Sequence, residues 1–274
     1  MLTRQNILRS LIGGLLLTGW PVSQADTLYQ PMVSIIIDDM GYKYRAGQRA
    51  VNLNGNITYA FLPNAPHARR LAQQAHQQQK EIMLHLPMES EANNRLGRGA
   101  LTQCMSEKEF KHLVHSNLAA IPHVRGFNNH MGSRLTKSSR LMSWLMQAAM
   151  FRDDLYFVDS RTTTESVAQY EADRRQIAAT RRDVFLDYER SADTVAQQLD
   201  VLIRTAKRYG TALGIGHPYP ETLATLEAWL PTLEQHGIKL VPVSELIQAQ
   251  YQRRISSWQM SSYHSPRAVK NSKQ

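Results

Sequence analysis

The chain has 274 residues, enough for one large domain or two small ones, with a formal charge of +9 and a single cysteine, Cys104. One cysteine excludes an internal disulfide, and the absence of an aromatic-and-basic stripe argues against nucleic acid as a partner. The positive charge gathers at the two ends. Arg4 and Arg9 open the chain, and Arg253, Arg254, Arg267, Lys270 and Lys273 occupy a stretch from Tyr251 to Gln274 that holds no acid, so the body between them is nearly neutral.

In chain order, the first residues have the form of an export signal. A basic start is followed by a short apolar core, Leu11 to Trp20, and by the small-residue stretch Ser23-Gln24-Ala25. The apolar core is too short to span a bilayer comfortably. Residues 1–25 are therefore expected to be a cleaved signal peptide and the mature protein to be exported, to the periplasm or beyond. An uncleaved anchor is the alternative.

Strands are predicted at Met32–Ile37, Ile57–Leu62, Glu81–Leu86, Gly126–His130, Leu155–Val158, Val184–Leu186, Ala212–Ile215 and Leu240–Val243, from short runs rich in apolar and β-branched residues. Helices are predicted between them. Ser106 and Glu109 form a capping box ahead of Phe110, Leu113, Val114, Leu118 and Ile121 on one helical face. Val195, Leu199, Leu202, Ile203 and Ala206 repeat that spacing and stop at Gly210, and Leu223, Leu226 and Leu230 mark a further helix. This alternation predicts an α/β fold, a single distorted (β/α) barrel of seven to eight strands over residues 31–249. No G-x-G-x-x-G turn follows the first strand, so no nucleotide cofactor is expected. Residues 250–274 read as a basic, disordered tail, solvated or in contact with an anionic membrane surface.

The first strand, Val33-Ser34-Ile35-Ile36-Ile37, runs straight into Asp38-Asp39-Met40-Gly41. A buried strand has no use for paired acids, because desolvating an unpaired charge costs several kcal/mol. The pair belongs at the strand's carboxyl end, where barrels of this kind collect their chemistry. Other predicted strands close on His85-Leu86-Pro87-Met88-Glu89, Asn128-Asn129-His130-Met131-Gly132, Asp159-Ser160-Arg161, Asp187-Tyr188-Glu189 and Gly216-His217-Pro218-Tyr219. Asp39, His85 and His130 could give one divalent metal, of the zinc type, a carboxylate and two imidazoles while leaving positions open. Asp38 would then act as general base and His217 as general acid, a division of labour that suits hydrolysis of an amide or ester. The plain alternatives are that His217 holds the turn before Pro218, and that Asp159 and Arg161 pair with each other or cap helices.

These stretches, Ile-Ile-Asp-Asp-Met-Gly, His-Leu-Pro-Met-Glu, Asn-Asn-His-Met-Gly-Ser, Val-Asp-Ser-Arg-Thr and Ile-Gly-His-Pro-Tyr, come in an order that resembles the divergent polysaccharide deacetylase family. These are exported bacterial proteins related to the polysaccharide deacetylases of carbohydrate esterase family four. The resemblance spans roughly residues 31 to 249. It implies metal-assisted removal of N-acetyl groups from an amino-sugar polysaccharide, with Asp38 as base, Asp39 as metal ligand and His217 as acid. By the same resemblance Asp159 corresponds most closely to the acid that tunes that histidine. In the main family two histidines four residues apart bind the metal. Here Glu89 stands four residues after His85, so either Glu89 takes the second place or His130 arrives from the next strand, the arrangement favoured here. The family's arginine motif is absent in its usual form, which leaves Arg134 or Arg161 to orient Asp38. Asn129 completes the set of orienting or substrate-binding residues. Two other functions share this fold and sequence: a glycan-binding protein without turnover, and a periplasmic scaffold.

Overall fold

A computed structural model of the chain describes residues 30–92 and 95–263. One parallel sheet holds β1 (Met32–Met40), β2 (Thr58–Phe61), β3 (Glu81–Met88), β4 (Val124–Met131), β5 (Tyr156–Asp159), β6 (Ala179–Arg181), β7 (Val184–Phe185), β8 (Thr211–Gly216) and β9 (Lys239–Leu240). The helices are α1 (Tyr44–Val51), α2 (Ala68–Gln77), α3 (Glu107–Ala120), α4 (Ser139–Ala149), α5 (Ala168–Arg174), α6 (Ala192–Tyr209), α7 (Pro220–Trp229) and α8 (Val243–Tyr263). The strand order is β6-β5-β4-β3-β2-β1-β8-β7, with β9 beside the start of β1.

Side chains alternate between the two faces of a strand, and this parity divides the core. Val33, Ile35 and Ile37 of β1 face outward with Phe61, Leu84, Leu86, Phe127 and Phe157, into the layer shared with the surrounding helices. Ile36, Ala60, Met83, Tyr156, Val158, Leu213 and Ile215 face inward. Val243, Leu246 and Ile247 of α8 join this inner group, so α8 plugs the end of the half-barrel where the strands begin. Gly126 makes room for the plug's neighbour, since a Cβ there would lie 2.4 Å from the Tyr156 ring. Glu81 Oε1 accepts from Tyr156 Oη at 2.8 Å, Thr58 Oγ1 at 3.0 Å and the Ser244 amide at 3.2 Å. The inner layer is thus sealed at the bottom and open at the carboxyl ends of the strands.

The sheet curves into a half-barrel, and its two ends, β6 and β7, are consecutive in the chain. The Arg182 amide still donates to Asp159 O on β5, whereas the Asp183 amide donates to Leu213 O on β8. The backbone changes partners between those two residues instead of pairing β6 with β7. Three differences from the sequence reading have physical causes. Ala179–Arg181 forms β6 without an apolar run to announce it. Leu240–Val243 gives only the two-residue β9, because Pro242 has no amide to donate and α8 starts at Val243. Helix α8 continues past residue 249 to Tyr263, so the first part of the tail is helical. The expected signal peptide lies outside the described residues. Among the described residues no helix is long and apolar enough to cross a membrane.

Gly41 ends β1 with φ +119°, and a Cβ there would sit 2.8 Å from Ala65 Cβ and 2.9 Å from Ala68 Cβ. Gly41→Ala is expected to cost about 1–3 kcal/mol through strain and overpacking, measured by urea unfolding. A variant as stable as the parent would show that this turn relaxes freely.

Candidate active site

At the open end, Asp38, His85, His130, Arg182, Phe185 and His217 line a cavity of about 210 Å³. Parity explains most of this set. Asp38 follows Ile36 on the inner face of β1, His85 follows Met83 on β3, and His217 follows Leu213 and Ile215 on β8. Asn128 and His130 share the inner face of β4, opposite the outward Phe127.

Asp39 is the exception that makes the site. On a regular strand it would point away from Asp38, but its φ is +55° and the β1–β2 register slips between Ile37 and Met40. This bulge turns the second carboxylate toward the mouth. Met131 (φ +55°) and Arg161 (φ +51°) adopt the same left-handed conformation just past His130 and Ser160. Such strained backbone gathers at functional sites because the surrounding fold must hold it.

Three candidate ligand atoms converge there. Asp39 Oδ1 lies 3.3 Å from His85 Nε2 and 3.0 Å from His130 Nδ1, and the two nitrogens are 3.1 Å apart. Asp39 Oδ1 is buried and accepts no well-formed hydrogen bond. A buried carboxylate oxygen without a donor is costly, and two imidazole lone pairs aimed at the same point suit a cation. The donor set, two imidazoles and one carboxylate, therefore fits a divalent ion of the zinc type. The charges agree. Burial opposes the Asp39 carboxylate, yet His130 and His85 outweigh it and hold its pKa well below the usual range. Burial likewise opposes the His85 imidazolium, but Asp38 and Asp39 lift its pKa to about 9.

Asn128 sets the protons of this cluster. Its Nδ2 donates to Asp38 Oδ1 at 2.8 Å, which turns its Oδ1 to His85 Nδ1 at 2.7 Å. Since an amide oxygen only accepts, His85 carries its proton on Nδ1 and presents Nε2 to Asp39 and His130. Asn129, expected from the sequence, also lines the cavity, although strand parity sets its side chain opposite to that of Asn128. Asn129 Nδ2 donates to Met131 O and its Oδ1 accepts the Ser160 amide, so it braces two loops. Burial raises the pKa of Asp38, against the lowering influence of His85, His217 and Asn128.

His217 faces the cluster from β8, its Nε2 3.9 Å from Asp39 Oδ2. Its Nδ1 donates to Asp187 Oδ1 at 2.9 Å, and Asp187 Oδ2 accepts the His217 amide and Thr222 Oγ1. Burial disfavours the imidazolium, but Asp187 more than offsets it and raises the His217 pKa. The tuning acid is therefore Asp187 and not Asp159. Asp159 follows the inward Val158, so it points outward, where it accepts from the Arg161 amide and Ser166 Oγ. Asp187 follows Phe185, which faces the cavity.

The remaining sequence candidates lie outside the cluster. Glu89 sits past the rim and accepts the Gln103 amide, while Arg134 Nε lies 3.2 Å from Glu89 Oε1. Glu89 thus stands apart from the three converging atoms, and Arg134 pairs with Glu89 and not with Asp38. Arg161 Nη1 reaches Ser166 O. The arginine that lines the cavity with Asp38 is Arg182, anchored on Ser160 O by Nε and on Arg161 O by Nη2. Burial lowers its pKa while the charge of Asp38 acts to raise it. A single arginine three residues before Phe185 gives no motif to read, whereas the parity of Val184–Leu186 is a signal that could have found Asp187.

The model of the divergent polysaccharide deacetylase family matches residues 35–247. The uncharacterised protein YibQ of Escherichia coli K12 is 34% identical over 215 residues, 78% of this chain and 67% of its own. A crystal structure of an uncharacterised Agrobacterium tumefaciens protein matches with a TM-score of 0.76 at 25% identity, over 80% of this chain and 90% of that one. A mutant of a Bacillus anthracis family-four carbohydrate esterase pseudoenzyme, with restored enzymatic activity, matches with a TM-score of 0.50 at 18% identity, over 80% and 68%, a likeness of fold alone. With a family match over most of its length, the chain belongs to the divergent polysaccharide deacetylase family.

Proposed function

We propose that the protein is an exported, metal-dependent hydrolase that removes N-acetyl groups from an amino-sugar polysaccharide of the cell envelope. The observation that carries this reading is the cluster itself. A buried carboxylate, Asp38, and an acid-backed imidazole, His217, flank three converging ligand atoms from Asp39, His85 and His130. Asp39, His85 and His130 would hold one zinc ion, which when bound supplies a more acidic water and a polarised acyl oxygen.

The chain's own residues divide the proton work. Asp38, whose burial raises its affinity for a proton, takes the proton of the attacking water. His217 gives its proton to the departing nitrogen as the C–N bond breaks, so that acetate and a free amine leave. Asp187 holds the ring by Nδ1 and keeps Nε2 toward the reacting groups. The cavity of about 210 Å³, walled by Phe185 and Ile215, suits a short acyl group. The predicted signal peptide supports the exported location.

Acetate release from N-acetylated amino-sugar oligomers, with zinc supplied, tests this reading. Turnover is expected in the parent protein. Asp187→Asn should lower kcat by about 10²-fold with KM little changed, because the amide no longer favours the imidazolium. Undiminished kcat in that variant would remove Asp187 from the mechanism, and no release from any such oligomer would overturn the reading.

A further inference from the structure

Away from the mouth, a trough follows the edge of the sheet where β6 and α5 meet α8. It has two chambers of about 800 and 600 Å³ that share Asp173, Ala179 and Arg254. Three tyrosines from three separate helices border it: Tyr170 on α5, Tyr209 at the end of α6 and Tyr251 on α8. Their exposures are 62%, 64% and 55%. Single exposed rings are ordinary, but three around one concavity mark an interaction surface.

Each ring also carries an arginine. The guanidinium carbon lies 5.8 Å from the Tyr170 ring in Arg174, 5.2 Å from Tyr209 in Arg208 and 6.0 Å from Tyr251 in Arg254. Exposed Arg181 on β6 adds a further cation. Arg174 Nη1 also lies 3.7 Å from Glu171 Oε1, and the other acids beside the rings are largely committed inward. Asp159 is buried on Ser166 and the Arg161 amide, and Asp183 Oδ2 accepts the Leu213 amide. Asp173 remains at the rim, under the influence of Arg254. Flat aromatic faces suit the apolar faces of sugar rings, and planar guanidinium forks suit carboxylates and phosphates. One wall of the trough, Asp159 and Arg161, brackets Ser160, which lines the catalytic cavity.

We propose that this trough is a second, non-catalytic site that binds a strand of acidic polysaccharide. The tyrosines stack on the sugars and the arginines engage their acidic groups. It rests on the deacetylase reading and narrows the substrate class to glycans that carry anionic groups.

The test is calorimetric titration of the full chain with hyaluronan oligosaccharides, which carry both N-acetyl and carboxylate groups. Neutral dextran and a short DNA duplex serve as comparisons. Hyaluronan is expected to bind and dextran not to. Tyr170→Ala/Tyr209→Ala and Arg181→Gln should each weaken the binding, the double variant by about 10-fold or more, with unchanged melting because these side chains are exposed. Absence of hyaluronan binding, equal binding by the double variant, or equally tight binding of DNA would overturn the proposal. Hyaluronan binding without acetate release from any oligomer would defeat the catalytic reading and leave the trough. Acetate release with unchanged affinity in the double variant would defeat the trough alone.

Discussion

Asp38→Asn is expected to lower acetate release by about 10²–10⁴-fold, the usual contribution of a general base. The side chain is only 4% exposed and is fixed by Asn128, so the substitution changes charge and basicity with almost no change of shape. Burial already disfavours the Asp38 carboxylate, so a neutral amide should leave the melting temperature equal or higher. Catalytic groups held against their preferred state commonly limit stability in this way. Loss of turnover without loss of stability separates a base from a structural acid. Full turnover in the variant would exclude Asp38 as the proton acceptor.

Asn128→Leu should act on stability and on the metal together. The residue is fully buried, and its amide is the link between Asp38 Oδ1 and His85 Nδ1. Leucine fills the same space but leaves the His85 N–H and one Asp38 oxygen without partners, each at about 1–3 kcal/mol. His85 also loses the acceptor that fixes its tautomer, which should weaken zinc binding by about 10–100-fold. Asn129→Leu is the internal comparison. It breaks bonds to Met131 O and the Ser160 amide, so it should destabilise the loops with a smaller effect on zinc affinity. Equal effects of both variants on zinc would refute the assignment of Asn128.

Much of this site is legible in the sequence. The strands that end in Asp38, His85, His130 and His217 were legible as short apolar runs followed by abrupt polar residues. Which of two neighbours faces inward is a finer matter, decided by counting pleats from a known inward residue. Counting from Val158 puts Asp159 outside, and counting from Phe185 puts Asp187 inside. The same count separates Asn128 from Asn129. Asp39 defies the count, because its left-handed backbone follows from the bulge and not from composition. Arg182 lies beyond any reading of pattern, since it enters the cavity from the two-residue link between β7 and β6, a strand with no apolar run to announce it.

Asp39, His85 and His130 together are proposed to hold a divalent ion. The most direct test is thermal melting of the protein after chelation, with zinc, cobalt, nickel or manganese added back, beside His85→Ala and His130→Ala. At a free concentration near 100 times Kd, specific binding to the folded state should add about 2.7 kcal/mol, or roughly 5–10 °C for a chain of this size. That rise is predicted in the parent and should vanish in both variants. No shift with any of these ions, or a shift that survives both substitutions, would contradict the metal site.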